Sequence, residues 1–192
     1  MEEPARLGRA SLRAILVALV ALVALPAAPA MAGSAACAAA NTIPSERTLE
    51  VARDATECIV NRERTKRGLR ALRVNASLQS SANSYARDMV RRSFFDHVTP
   101  GGETLTERIR EDTRYLTGAL SWEVGENLAW GTGRLATPAQ IVRGWMRSPG
   151  HRRNVLHAGF REMGLGVALG APVPANAASG AATYANQFGR RG

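Results

Sequence analysis

The sequence predicts an α+β fold with a sheet set between helical layers. Helix-periodic segments with recognisable caps fill the chain up to about residue 147, interrupted by an extended stretch from Trp122 to Trp130. Two strand-like runs, GLGVALG (164–170) and AATYANQF (181–188), close it, and a Pro/Ala/Gly loop joins them as in a hairpin. Helices first and antiparallel strands last is the α+β order. At 192 residues, with no internal repeat, the chain suits one domain with a real core behind a leader.

The leader comes first. Arg6, Arg9 and Arg13 form a basic region ahead of AILVALVALVAL (14–25), and Pro26 and Pro29 follow with small residues. A helix over that run reaches only about 18 Å against a hydrocarbon core of about 30 Å. Residues 1–36 therefore read as a secretory signal peptide and cleavage region, with candidate cuts after Ala30, Ala32 or Ala36. No second long apolar run follows, so the mature form is expected to carry no stable membrane span. A small-residue linker, 37–48, leads into the folded part.

Ser45 is the expected cap of a first helix running to about Lys66, with Ala52, Ala55 and Ile59 on one face and Gly68 ending it. Leu69, Leu72 and Val74 of the connector are expected to point inward. Asn75 caps a second helix to about Arg92, on which Leu78, Ala82, Tyr85 and Met89 recur at helical spacing. FFDHVTPGG (94–102) reads as an ordered loop that buries Phe94 and Phe95 before a turn. Thr104 and Glu107 form a capping box for a short third helix. Thr137, Pro138 and Gln140 start a fourth with Ile141, Val142, Trp145 and Met146 as its buried stripe. Ser148-Pro149-Gly150 stops it, and HRRNVL adds a turn or two.

Charge and cysteines bound the function. The formal net charge is +9, and removing residues 1–32 takes away three Arg and two Glu, leaving +8. Lys66 is the one lysine, so the charge is almost all arginine. An exported basic protein is drawn to anionic envelope polymers or lipid headgroups. No nucleic-acid motif accompanies the charge and aromatics are 5%, so nucleic acid is not an expected partner. Cys37 and Cys58 are free to form one disulfide in an exported chain. The rival, a lipid anchor on Cys37, is disfavoured because Ser34 stands where such sites favour a large aliphatic residue.

Catalytic signatures are sparse: G-x-S-x-G, H-E-x-x-H, a phosphate-binding glycine loop and a close Cys/His cluster are all missing. What remains is scattered: His97, Glu126, His151 and His157. Taken singly, a loop histidine is a hydrogen-bonded structural residue and a glutamate before asparagine is a cap or surface group. Taken together, two histidines and a carboxylate can hold Zn²⁺ with a water, or act as a base and its orienter. Spacing alone leaves both open.

FFDHVTPGG, VGENLAWG, WMRSPGHRRNVL, FREMGLGVAL and YANQFG, in that order, resemble the bacterial branch of the CAP superfamily, the SCP domain of cysteine-rich secretory, antigen 5 and pathogenesis-related proteins. VNRERTKRGLRALRVNASLQSSANSYARDM is similar to its two opening helices, so the resemblance covers about 49–189. It implies a three-layer α-β-α sandwich with a central antiparallel sheet and an open cleft. It implies that His97, Glu126 and His151 line that cleft, in which some members bind a divalent metal. The fourth cleft residue of the pattern is a glutamate three positions past the central tryptophan; here Trp145 is followed at that distance by Ser148. Asn127 is expected to hydrogen-bond backbone on the cleft floor, and Arg152 and Asn154 to tie the turn after the break. Gln187 and Phe188 end the last strand, and His157 matches no cleft motif.

The resulting expectation is a secreted binding module of a bacterial envelope, needing no cofactor, whose cleft (His97, Glu126, Asn127, Ser148, His151) engages a lipid, polymer or other small ligand. The alternative is a peptidase-like hydrolase, metal-assisted or using His97 and Glu126 as acid and base, with Zn²⁺ on His97, His151 and Glu126. A third reading is an adhesive or signalling protein acting through its surface.

Overall fold

In a computed structural model describing residues 37–173 and 180–192, helix α1 spans Leu49–Thr65. The expected signal peptide, its cleavage positions and part of the final hairpin loop lie outside these residues. Ser45 does not cap α1. Its N–H donates to Thr48 Oγ1 at 2.9 Å and the two hydroxyls meet at 2.8 Å, closing a local turn that moves the cap position to Thr48. At the other end Gly68 takes the left-handed conformation, φ +71°, that ends the helix as expected. Cys37 pairs with Cys58 on α1, with Cα atoms 5.5 Å apart, so the linker is tied to the first helix.

Strand β1 (Arg73–Val74) is a two-residue edge strand, followed by α2 (Ala76–Arg92) and α3 (Leu105–Asp112). Asn75 caps α2 by accepting from the N–H groups of Ser77 and Leu78, and the Thr104–Glu107 box of α3 is complete. Then come β2 (Trp122–Gly131), α4 (Pro138–Arg147), α5 (Pro149–Val155), β3 (Glu162–Leu169) and β4 (Ala182–Arg191). Thr137 stands at the cap position of α4, but its hydroxyl donates to Arg134 O instead of capping. Ser148 ends α4, and Pro149 opens α5, because its fixed φ and missing N–H suit a first helical position.

The sheet order is β1-β3-β4-β2; the three long strands are antiparallel and β1 joins β3 in parallel. Helices α1, α4 and α5 cover one face, where Ile59, Val60, Ile141, Val142 and Trp145 pack on Leu165, Tyr184 and Phe188. Helix α2 covers the other through Ala82, Tyr85, Ala86 and Met89, with α3 adding Ile109 beside Leu78. Each such large side chain, fully buried, contributes about 1.5–3 kcal/mol of transfer free energy. The glycines of GLGVALG set how near α2 can come: a Cβ at Gly164 would lie 2.2 Å from Leu78 C, and one at Gly166 2.1 Å from Ala82 O.

Inward expectations fail at the margins. Val74 is 50% exposed because it lies on the outermost strand, and Leu69 is only partly buried. Phe95 is 41% exposed, since only Phe94 turns back to meet Tyr85, ring centroids 6.0 Å apart.

Candidate functional site

Strand β2 is the edge of the sheet opposite β1, and its pleat sorts the GENLAWG residues. Glu126 and Leu128 face the α2/α3 layer, whereas Asn127 faces α4 and α5. An edge strand leaves outward carbonyls to be satisfied. Asn154 Nδ2 donates to Glu126 O at 3.0 Å and Trp145 Nε1 to Leu128 O at 3.1 Å. Asn154 also reaches Asn127 Oδ1, and Asn127 Nδ2 donates to His151 O at 2.9 Å. The turn after the Ser-Pro-Gly break is thus pinned to the strand. Arg152, expected to share that task, is exposed. Gly125 has a packing reason: a Cβ there would stand 3.0 Å from the Phe160 ring. Gly150 has none of that kind, its nearest neighbour being an Arg153 nitrogen at 3.9 Å.

Glu126 is the centre of a buried polar cluster. Its carboxylate takes both oxygens to Arg108 Nη2, at 2.9 and 3.1 Å, accepts from Gln187 Nε2 at 3.3 Å and meets His97 Nδ1 at 3.0 Å. Arg108, on α3, stacks over Tyr85 with its guanidinium carbon 3.4 Å from the ring centroid. It also donates to His97 O and Glu103 O, and the Tyr85 hydroxyl donates to Asp96 O. The loop bearing His97 is therefore fixed at two consecutive carbonyls. Burial pushes the Tyr85 phenol upward, so it stays a donor.

The two cleft histidines differ. The hydrogen bond to Glu126 raises His97 above its ordinary value, outweighing partial burial. Burial lowers His151, and the charge of His97 lowers it further. Ser148, Arg147 and His151 stand at one end of a groove of about 490 Å³ that runs between α4 and Leu128–Trp130 of β2. His157 stands apart, 3.3 Å from Glu123 and against Phe160. Phe188 is buried and Gln187 is fully buried, though β4 continues past both to Arg191.

The Zn²⁺ site implied by the resemblance does not fit this donor set. A guanidinium already holds both Glu126 oxygens, putting a fixed positive charge where a cation's ligand would be. Among the described residues no group of three or more His, Cys, Asp or Glu side chains is placed to hold a metal ion. Two residues central to the folded site were missed from sequence, Arg108 and Tyr85's ring as its platform. Arg108 sits at the fourth residue of α3, a position that gives no signal apart from its tertiary partners.

Comparisons agree with this architecture. A model of the cysteine-rich secretory protein family, CAP, matches residues 59–179. The uncharacterized protein YkwD of Bacillus subtilis (strain 168) is 35% identical over 108 residues, 56% of this chain and 39% of its own length. The chain thus spans well under half of that curated relative. Among solved structures, an extracellular protein containing a SCP domain from Bacillus anthracis str. Ames superposes with a TM-score of 0.57 at 21% identity, over 76% of this chain and 43% of that one. An outer surface protein of Borrelia burgdorferi gives 0.59 at 18%, over 78% and 97%. Identities this low speak to the fold, and the fold is the α-β-α sandwich; with a family match over more than half its length, the chain belongs to the cysteine-rich secretory protein (CAP) family.

Proposed function

We propose that this chain is a secreted binding module whose cleft engages a small envelope component, and that it is not a catalyst. The observation that carries this is the saturation of Glu126. Its carboxylate is buried and committed to Arg108, His97 and Gln187. A general base needs an oxygen free to reach the proton it takes, and both oxygens of this carboxylate are already engaged. Ser148, the hydroxyl of the groove, stands at the break between α4 and α5 without capping it, and among the described residues no side-chain hydrogen bond joins it to His151.

Export is supported by the apolar leader and by the Cys37–Cys58 disulfide, which belongs to oxidising compartments. A sulfur held in a disulfide is closed to the thioether of a lipid anchor, which argues against anchoring at Cys37. No helix of the described residues is long and apolar enough to cross a membrane. The fold neighbours are described as an extracellular and an outer-surface protein, in keeping with an envelope role.

The hydrolase reading has one observation in its favour, the 3.0 Å His97–Glu126 contact, which has the form of a base and its orienter. The experiment that decides is a paired assay on the exported protein: retention on extracted envelope lipids and polymers, and turnover of peptide and glycan mixtures. Retention without turnover is expected. Turnover that disappears in both Glu126→Gln and His151→Ala would overturn the binding reading.

A further inference from the structure

We infer that the groove between α4 and the outer edge of β2 takes a phosphate group carried on an apolar body, with Ser148 setting the sign of the charge it accepts. The inference rests on the binding reading above and names its ligand class. On α4, Gln140, Arg143, Gly144 and Arg147 recur at i, i+3, i+4 and i+7 and form the groove wall, while Ile141, Val142 and Trp145 turn mainly to the core. Neither Arg143 nor Arg147 enters a salt bridge among the described residues. Among the described residues no carboxylate lines the groove. Glu126, the buried acid of the neighbouring cluster, is already paired with Arg108. An acid at 148 would offset Arg147; serine leaves Arg143 and Arg147 uncompensated along an open channel.

The other lining groups are apolar. Trp130 and Leu135, the latter 64% exposed, sit toward the start of α4, and Gly144 midway faces open space, a Cβ there meeting nothing within 4 Å. From Gln140 to Arg147 the wall is about 10 Å long. The chemistry that matches is a charged head at the Arg147–Ser148–His151 end and a hydrocarbon body toward Trp130. Three donor side chains at that end suit the three terminal oxygens of a phosphate better than the two in-plane oxygens of a carboxylate.

The test uses the full exported chain carrying Trp122→Phe, so that the remaining tryptophans, Trp130 and Trp145, both line the groove and report on it by fluorescence. The probes are octyl phosphate, octanoate, octyl glucoside, octyltrimethylammonium and inorganic phosphate. Saturable binding of octyl phosphate is expected, with inorganic phosphate and octanoate weaker and no response to the ammonium. Ser148→Glu and Arg147→Glu should each weaken octyl phosphate about tenfold at an unchanged melting temperature. Equal binding of the ammonium or the glucoside, or variants that bind like the parent, would overturn the charge assignment while leaving the binding module standing. Octanoate binding tighter than octyl phosphate would overturn the choice of phosphate. Failure of every probe overturns the groove as a ligand site, and the envelope-retention assay then decides the binding reading separately.

Discussion

Arg64 and Arg108 are both buried guanidiniums that tie loops to helices, but their surroundings are electrically opposite. Arg64, on α1, is 0% exposed and donates only to carbonyls: Arg70 O at 2.9 Å, Val155 O at 2.8 Å and His157 O at 3.0 Å. Arg108 is 5% exposed and faces a carboxylate that is itself buried. Burial and nearby Arg161 hold Arg64 below its ordinary pKa, the mark of a cation kept without a counter-ion. The first arginine closes the fold behind α5. The second pre-sets the carboxylate and histidine of the candidate site. The number of hydrogen bonds does not rank them; the charge each would leave behind does.

The largest expected effect follows from that. Arg108→Met should cost about 3–5 kcal/mol, since it removes the buried guanidinium from Glu126 and leaves that buried anion only Gln187 and the half-exposed His97. Adding Glu126→Gln should recover most of the loss in urea denaturation, because the orphaned charge is then gone. A double variant no more stable than the single would show that the pair's charge is not what matters. Arg64→Met should cost less, about 2–3 kcal/mol, from three carbonyls losing donors with no anion left exposed to low dielectric. The reverse order of the two single variants would break the comparison.

A third, partly buried charge sharpens it, because no hydrogen bond or ion pair reaches it among the described residues. Glu57 on α1 has an unbonded buried oxygen, and burial pushes its carboxyl up to about 7 against the smaller opposing pull of Arg53. A raised carboxyl pKa means the folded state prefers the proton, so stability falls as pH rises from about 4.5, the unfolded value, through 7. Glu57→Gln should therefore gain about 1–2 kcal/mol at pH 8 and nothing near pH 4. Melting curves at the two pH values check it; an equal gain at both would point to packing in place of charge.

These buried charges also mark the limit of what the sequence discloses. Asn75, the Thr104–Glu107 box, Gly68 and the final strands were legible because caps, periodicity and alternation act over a few residues. The pairing of His97 with Glu126 needed the family pattern, since they stand 29 positions apart and no local rule joins them. Arg64 and Arg108 were not legible at all. In a chain with 25 Lys and Arg, nothing local distinguishes an arginine that stacks on Tyr85 from one in solvent. Ser45 and Thr137 failed in the other direction: each has cap chemistry, and each spends it on a nearer partner, Thr48 and Arg134 O.

The smallest expected effect tests whether the two halves of the cleft communicate. His97, raised by its bond to Glu126, favours the imidazolium; the stability it adds is full below the unfolded value of 6.5 and is lost as pH rises through its higher folded value. His151, lowered by burial and then by His97, favours the neutral ring; its contribution is full above 6.5 and is lost as pH falls through its lower folded value. The two slopes have opposite sign and lie on opposite sides of 6.5, so together the rings should give a shallow maximum in melting temperature near that pH. Imidazole Cε1–H signals resolve them: His97 should have its midpoint above 6.5 and His151 below. In Glu126→Gln, His97 should fall back, and His151 should then rise, because a neutral His97 no longer repels its proton. A His151 midpoint that stays fixed while His97 moves would mean that the histidines, although drawn to one strand edge from opposite layers, titrate as strangers.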